Sequence, residues 1–495
     1  MKRLICLAPV LLLVLFACTS APQSTEEPES RLIITYPTTT YSRLDGLERI
    51  QSTINVIAQK EACVQIDLLP EDSLAAYHDY PLWLSQGKRI DLMMLNYQDI
   101  QGYVKNGQLL ALDELIGQYG SGIQALIDSG CDLTSGTTIG GDIFGLAVAG
   151  DEGGGVGGGL WIARRYLDEA GIPYSADHIY SMEELDHLFA NLKKLYPNRY
   201  PLGQLTAGNT FSSSQFFYGT DNPFGNGGSS GSLDVNTGQV INFYDTAEYR
   251  EFLHWMRSWY AAGYIYPDAS YTGFSNVELL NSGDILSIPH ISRPGLYSTD
   301  VFGEELVCLS LSKVVQTNAS SQGVFWTIPT TSQDPIGAMK FLNLMYSDQR
   351  IVNLFVWGEE GKDYYFLSRD DGVIAYPEGI TPETAEYYNP LGLYGDMRLA
   401  YSLNSNELKK EKADYAAKII RIGQEYIGFF FDQTPVSVQV WQVQQVLGRY
   451  LPVLESGCVE LEENYTAFLD ALQEAGIQEI IAEKQRQLDG WRNSQ

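Results

Sequence analysis

Between Leu32 and Asn96 the chain alternates two hydrophobic periods, and no other feature limits its fold as much. Leu32-Ile33-Ile34-Thr35-Tyr36 is a short β-rich run that stops at Pro37. Leu47, Ile50, Ile54 and Ile57 then recur at spacings of three and four, one stripe of a helix. Val64-Gln65-Ile66-Asp67-Leu68-Leu69 reads as a second strand and residues 73–88 as a second helix. Ile90-Asp91-Leu92-Met93-Met94-Leu95-Asn96 is a third strand, nearly continuous in apolar residues. Strand, helix, strand, helix, strand at this spacing means right-handed crossovers and a parallel sheet. Ligands of such open sheets bind beyond the carboxyl ends of the strands, which puts the loop 36–41 and Asn96-Tyr97 at the edge of a cleft.

Further along, 101–127 reads as helix in two pieces and 140–148 as a turn and a strand. Asp151 to Gly159 then holds six glycines in nine residues. This run lacks the Lys of a G-x-x-x-x-G-K-[ST] phosphate loop, so its glycines serve a turn, flexibility or a close backbone approach. Leu160-Trp161-Ile162 resumes a strand, and Arg164 to Ala170 is a helix ended by Gly171. The stretch 201–245 is irregular, with a hairpin near 234–241 turned by Asn236-Thr237-Gly238. Trp255 and Trp259 stand at i and i+4 of a helix over 246–262, the spacing of a core stripe. Ile285-Leu286-Ser287-Ile288 is a strand ending at Pro289-His290. Pro335 opens a helix over 335–346 from its first position. From residue 405 the pattern is mainly helical, over 407–427, 436–454, 461–474 and 478–491, punctuated by Gly457 and Gly476.

A chain of 495 residues is too long for one compact core and implies two or three domains. Lys and Arg number 32 against 61 Asp and Glu, a net charge of −29. That balance argues against nucleic acid and polyanionic ligands, which would be repelled. Cys63, Cys131, Cys308 and Cys458 are scattered without a C-x-x-C pair, so no metal-ligand spacing exists. Buried thiols and one or two disulfides both remain open for them. Five histidines, at 78, 178, 187, 254 and 290, also lack ligand spacing, and no cofactor is implied. The 32 Tyr, 19 Phe and 8 Trp suit carbohydrate, whose flat C–H faces pack on rings, and suit ordinary cores equally. At the N-terminus, Met1-Lys2-Arg3 precedes an apolar run from Leu4 to Phe16 that is too short to span a bilayer. Residues 1–17 read as a cleaved secretory signal. Losing Lys2 and Arg3 lowers Lys plus Arg from 32 to 30 and makes the charge −31.

Leu15-Phe16-Ala17-Cys18 resembles the lipobox of bacterial lipoproteins. The resemblance implies an acylated Cys18, a flexible tether over 18–31, and anchorage at the cell membrane facing the extracellular side. A longer series resembles bacterial extracellular solute-binding proteins of family 1, the capture subunits of ABC importers. It comprises Asp91-Leu92-Met93-Met94, Gly107 to Leu115, Gly145-Leu146, and Trp161-Ile162-Ala163-Arg164-Arg165. Trp357-Gly358-Glu359-Glu360-Gly361-Lys362-Asp363-Tyr364, the run from Gly428 to Val436 and the run from Ile480 to Asp489 are similar to a LipO-like branch. That branch carries a C-terminal helical extension of unknown function. The resemblance implies an α/β, two-lobe periplasmic-binding-protein-like fold with a hinge between the lobes. Lobe one is assigned to 32–148 plus 325–360, lobe two to 149–324 plus 361–435, and the helical extension to 436–495, packed on one or both lobes.

On that frame, Tyr36, Asn96 and Tyr97 follow strand ends and line the cleft unless they pack as ordinary loop. Asp151 and Glu152 fall where the chain first crosses between lobes, where carboxylates accept from sugar hydroxyls; the alternative is a solvated turn. Trp161 beside that crossing is a stacking face or a core residue. Arg293 follows a strand end and contacts ligand or makes a salt bridge. Trp357 is a candidate sugar platform with Glu359 beside it, and Asp396 lies in a Gly-Asp-Met turn. No G-x-S-x-G or H-E-x-x-H signature appears, and the chain is read as a binding protein. Its expected partners are a small solute, in particular an oligosaccharide, ABC permease subunits, and the bilayer through Cys18, with the protein a monomer. A surface glycoside hydrolase and a peptide-binding or sensing lipoprotein are the alternatives.

Overall fold

The computed structural model describes residues 30–39, 42–150, 155–203, 231–234, 237–267, 270, 276–292, 305–316, 323–389, 392–426, 429 and 431–493. Strand Ser30–Thr38 runs parallel to Val64–Asp72 on one side and to Leu92–Asn96 on the other. Helix Leu47–Ala62 makes the first crossover and buries Ile50, Ile54, Ala58 and Ala62. Ser30 and Arg31 belong to the first strand, although the tether was expected to reach residue 31. Arg31 donates to Asp67 Oδ1 at 3.0 Å, which fixes the strand start. Val324–Thr327 and Leu146–Ala147 complete a five-stranded sheet, each antiparallel to its neighbour. Asp91 is fully buried at its base. It accepts from Ile33 N (2.9 Å), Arg89 Nε (2.9 Å), Ser332 Oγ (2.8 Å) and Gln333 N (3.0 Å), so the buried carboxylate is satisfied by hydrogen bonds and ties the first strand to the segment before helix Pro335–Ser347.

Helices Pro335–Ser347 and Gln349–Trp357 cover this sheet. Asp334 and Asp348 cap them by accepting from Gly337 N and Arg350 N, which satisfies amides a helix start leaves open. Tyr387, Tyr394 and Ala400 pack into the same core. Tyr387 donates to Phe355 O at 2.7 Å, and Tyr394 stacks on Phe355 with centroids 4.7 Å apart. The structure therefore places Tyr387 and 393–400 with the first lobe, where the sequence assigned 361–435 to the second. No apolar period marks that stretch; single aromatic anchors hold it.

The second lobe is a four-stranded sheet in the order Tyr200–Leu202, Ile285–Ile291, Gly158–Ala163, Leu306–Ser310. Its central strand, Gly158–Ala163, is antiparallel to both neighbours. A Cβ on Gly159 would lie 2.7 Å from Cys308 Sγ and 2.9 Å from His290 O, so the glycine run admits two strands at close quarters. Helix Ala247–Ala261 buries Trp259 completely, with Nε1 donating to Asp186 Oδ1 at 3.0 Å, while Trp255 tilts against it. Among the described residues Cys63, Cys131, Cys308 and Cys458 form no disulfide, and burial pushes the Cys308 thiol up to about 12.

Helices Ser437–Glu455, Leu461–Glu474 and Ile477–Arg492 join the second lobe's core, so the extension packs mainly on that lobe. The helix expected over 407–427 stops at Ala416. Ile420 N is taken by Val314 O at 2.9 Å, and the chain pairs there as a strand. Lys484 on the last helix is fully buried and donates to Gly231 O at 2.8 Å. Burial lowers its pKa from 10.5 to about 7. The unfolded chain then binds the extra proton between those values, so this group's contribution to stability rises with pH through that window. Lys484→Met will flatten the rise, measured by urea unfolding at pH about 7 and about 10.

Candidate functional site

The chain passes between the lobes three times, and the three passages pair with one another. Gly155–Val156 follows the first lobe's Leu146–Ala147 and leads into Gly158–Ala163. Val315–Gln316 returns from Leu306–Ser310 to Val324–Thr327, and Ile420–Arg421 carries the chain on to the C-terminal helices. Val315–Gln316 lies in the middle, antiparallel to the first passage and parallel to the third. Each passage contributes two paired residues, a thin connection between two large cores. Such a sheet bends by small backbone rotations, the geometry of a hinge.

Around it the backbone is tightly tied. Ser292 N donates to Gly157 O at 2.8 Å and Gly158 N donates to Ser312 Oγ at 2.8 Å. Tyr415 donates its hydroxyl to Ser292 O. On the first-lobe side Ala149 N donates to Gly395 O at 2.9 Å and Met397 N to Ala149 O at 2.8 Å, which brings Asp396 beside the first passage. Both Asp396 oxygens accept from Arg398, from Nε and Nη2, each at 2.8 Å. Asp396 is buried, while the Arg398 side chain is half exposed beside the crossing.

The sequence-derived candidates separate into three groups. Asp151, Glu152, Arg293 and Cys18 lie outside the described residues. Asn96 and Tyr97 stand at the carboxyl end of Leu92–Asn96, where Tyr97 opens helix Tyr97–Lys105. Asn96 is exposed and hydrogen-bonds Asp99, whose carboxyl burial pushes up. The remaining five are occupied internally. Tyr36 is fully buried, edge-on to Tyr394 (5.6 Å) and Phe355 (6.3 Å), so it is core where a cleft wall was expected. Its hydroxyl has no hydrogen-bond partner among the described residues, and burial raises its pKa far above the usual tyrosine range. Trp161 is also in the core, with Nε1 donating to Ile291 O at 3.0 Å. Trp357 is half-buried and donates to Tyr401 O at 3.1 Å.

Glu359 accepts from Arg49 (2.8 Å), Lys362 (3.2 Å) and Thr53. Burial opposes its charge, but these bonds outweigh it and hold the carboxyl below the usual range. Asp363 shares Arg49 at 2.9 Å. Glu359 and Asp396 are thus both engaged by arginine, an arrangement that positions a loop rather than transferring a proton. Among the described residues no three His, Cys, Asp or Glu side chains are grouped to hold a metal ion. Arg398 and Tyr415 are the hinge residues that sequence reasoning missed. Arg398 is two residues beyond Asp396, so asking what pairs with that carboxylate finds it; Tyr415 gave no signal, being one tyrosine among 32.

Residues 425–493 match the family described as Domain of unknown function (DUF3502). Over 463 residues the chain is 20% identical to a carbohydrate ABC transporter substrate-binding protein of Streptococcus pneumoniae serotype 4 (strain ATCC BAA-334 / TIGR4). That match covers 90% of this chain and 88% of the relative. The fold is similar to the crystal structure of the N-glycan transport solute binding protein NgtS from Streptococcus pneumoniae, with a TM-score of 0.79 at 17% identity, over 93% of this chain and 99% of that one. NgtS in complex with Man1GlcNAc matches with a TM-score of 0.71 at 18% identity, over 94% and 100%. The architecture is that of two-lobe solute-binding proteins with a helical C-terminal region.

Proposed function

We propose that this chain, an extracellular solute-binding protein in fold and in its likeness to a carbohydrate importer subunit, captures an oligosaccharide between its lobes and delivers it to an ABC permease. The observation that carries the reading is the junction of three paired passages between two separately cored lobes. A solute that touches both lobes binds the closed arrangement better than the open one, and that difference alone drives closure. No bond is made or broken. The half-exposed Arg398 guanidinium, Asn96 and Tyr97, together with Asp151, Glu152 and Arg293, are the groups we assign to the solute's hydroxyls. Arginine and carboxylate are suited to bidentate bonds with adjacent hydroxyls.

The test is thermal unfolding of the unanchored chain, from Thr19 onward, against mono- and oligosaccharides and short peptides. A solute at about a hundred times its Kd stabilises the fold by about 2.7 kcal/mol. A rise with one sugar class is the expected result. A rise with peptides alone overturns the carbohydrate assignment, and release of reducing sugar at catalytic protein levels overturns the binding-protein reading.

Anchorage is part of the same proposal. Among the described residues no helix is long and apolar enough to cross a membrane. The lipobox Cys18 supplies the attachment instead, since two acyl chains hold a protein at a bilayer where one does so only marginally. Cys18→Ser is expected to move the protein from the membrane pellet to the soluble fraction. Unchanged partition rules the anchor out.

A further inference from the structure

Asp432 and Thr434, in a sequence run the hinge leaves unexplained, touch the first lobe at a second place. Lys105 ends helix Tyr97–Lys105, whose Ile100 and Tyr103 pack with Leu95 and Phe325 in a cluster of the first lobe. Its Nζ lies 3.0 Å from Asp432 Oδ2 and 3.3 Å from Thr434 Oγ1. Asp432 and Thr434 sit on the other side of the molecule's hinge: Val436, two residues on, is buried in the second lobe's core.

The carboxylate is fixed in advance. Asp432 Oδ1 accepts from Thr434 N at 3.0 Å and from Thr434 Oγ1 at 2.6 Å, which leaves Oδ2 facing the lysine. Gln487 clamps the Asp432 peptide from both ends, accepting from its N–H and donating to its C=O, each at 2.8 Å. Gln487 is in the last of the three sequence runs that set this branch apart, 480–489. Its neighbour Gln485 holds the 239–241 strand by accepting from Val240 N at 2.7 Å. The two runs therefore meet at Asp432, whose oriented carboxylate faces Lys105. The hydrogen bonds from Thr434 and Lys105 keep that acid at about 2, so it is charged at any ordinary pH.

We propose that the C-terminal extension acts as an interlobe latch, in which Asp432, preset by Thr434 and Gln487, pairs with Lys105 and holds the lobes in the arrangement described here. The proposal rests on the solute-binding reading for the motion it restrains. Both side chains are about half exposed, so the pair biases the equilibrium rather than locking it. Its loss shifts the ratio of lobe arrangements by about two- to five-fold. High salt does the same to the intact pair.

The experiment needs no solute. Nitroxide labels go on cysteines introduced at Val56 and Leu195, exposed positions on the Leu47–Ala62 and Met182–Leu195 helices of opposite lobes, in a chain whose own cysteines are replaced by alanine. Pulsed dipolar spectroscopy then gives the distribution of lobe separations. Lys105→Met and Asp432→Asn are each expected to shift that distribution, and the exchanged pair Lys105→Asp with Asp432→Lys to restore it. Distributions that are identical in all variants overturn the latch, as does a shift that the exchange does not reverse. The radius of gyration of the cysteine-intact variants, from small-angle scattering, checks the same shift if the alanine background is poorly folded. A failed sugar panel with a working latch would overturn the solute assignment and leave the latch standing.

Discussion

A chain cut after Phe431 will not fold its second lobe. The three terminal helices bury Val443, Leu454, Phe468, Leu472, Ile477 and Ile480 at essentially zero exposure in one core with Phe252, Leu253 and Trp259. Each such side chain contributes about 1.5–3 kcal/mol by leaving water. Half a dozen of them exceed much of the 5–15 kcal/mol that holds a whole domain together. Polar ties would be lost as well. Tyr465 donates to Tyr244 O at 2.8 Å, and Tyr249 donates to the buried Glu455 at 3.2 Å. The expected product binds a hydrophobic dye and lacks the second lobe's cooperative transition in calorimetry. A truncated protein that melts like the full chain would show the extension to be an appendage.

Gly457→Ala is expected to cost about 3–5 kcal/mol, an unusually large loss for one methyl group. Gly457 has φ +73°, where an L side chain is strained by about 1–2 kcal/mol. The added Cβ would stand 2.2 Å from Met256 O and 2.5 Å from Met256 C, backbone atoms of the Ala247–Ala261 helix. Nothing there yields cheaply. Arg257 Nη1 also donates to Gly457 O at 3.2 Å, so the turn cannot move aside without losing that bond. Gly448→Ala, in the interior of Ser437–Glu455 with open space around it, is the control and should gain about 0.5–1 kcal/mol. Urea midpoints of the two variants decide the matter; equal midpoints would mean the helix and turn separate freely.

The legible parts of this fold are those where one period persists. The strands at 30–38, 64–72 and 92–96 and the helices at 335–347 and 461–474 follow their hydrophobic spacing closely. The Trp255–Trp259 stripe faces the core as spacing requires. What could not be read depends on partners distant in sequence. Tyr36 follows an apolar run and looks like a loop residue, yet Tyr394 and Phe355 close over it from more than 300 residues away. Trp161 reads equally as platform or core, and its place between Ile288 and Cys308 in the sheet decides the question. Residues 387–400 hold many apolar side chains, but Asn389, Pro390, Gly392 and Gly395 interrupt them, so no regular element and no lobe could be read from their spacing. Glu359 looked available because its three donors, Arg49, Thr53 and Lys362, include two from the opposite end of the lobe's sequence.

The threefold crossing also constrains how the molecule is made. The first lobe's sheet needs Val324–Thr327 beside Leu92–Asn96, and its core needs Tyr387 and Tyr394. The second lobe's core is incomplete until Ile480 has arrived. Neither half can finish during synthesis until most of the polypeptide exists. Contacts so remote in sequence form slowly, because long loops must close before they are rewarded. A chain that matures late stays extended long enough to be threaded across a membrane, as the export proposed above requires.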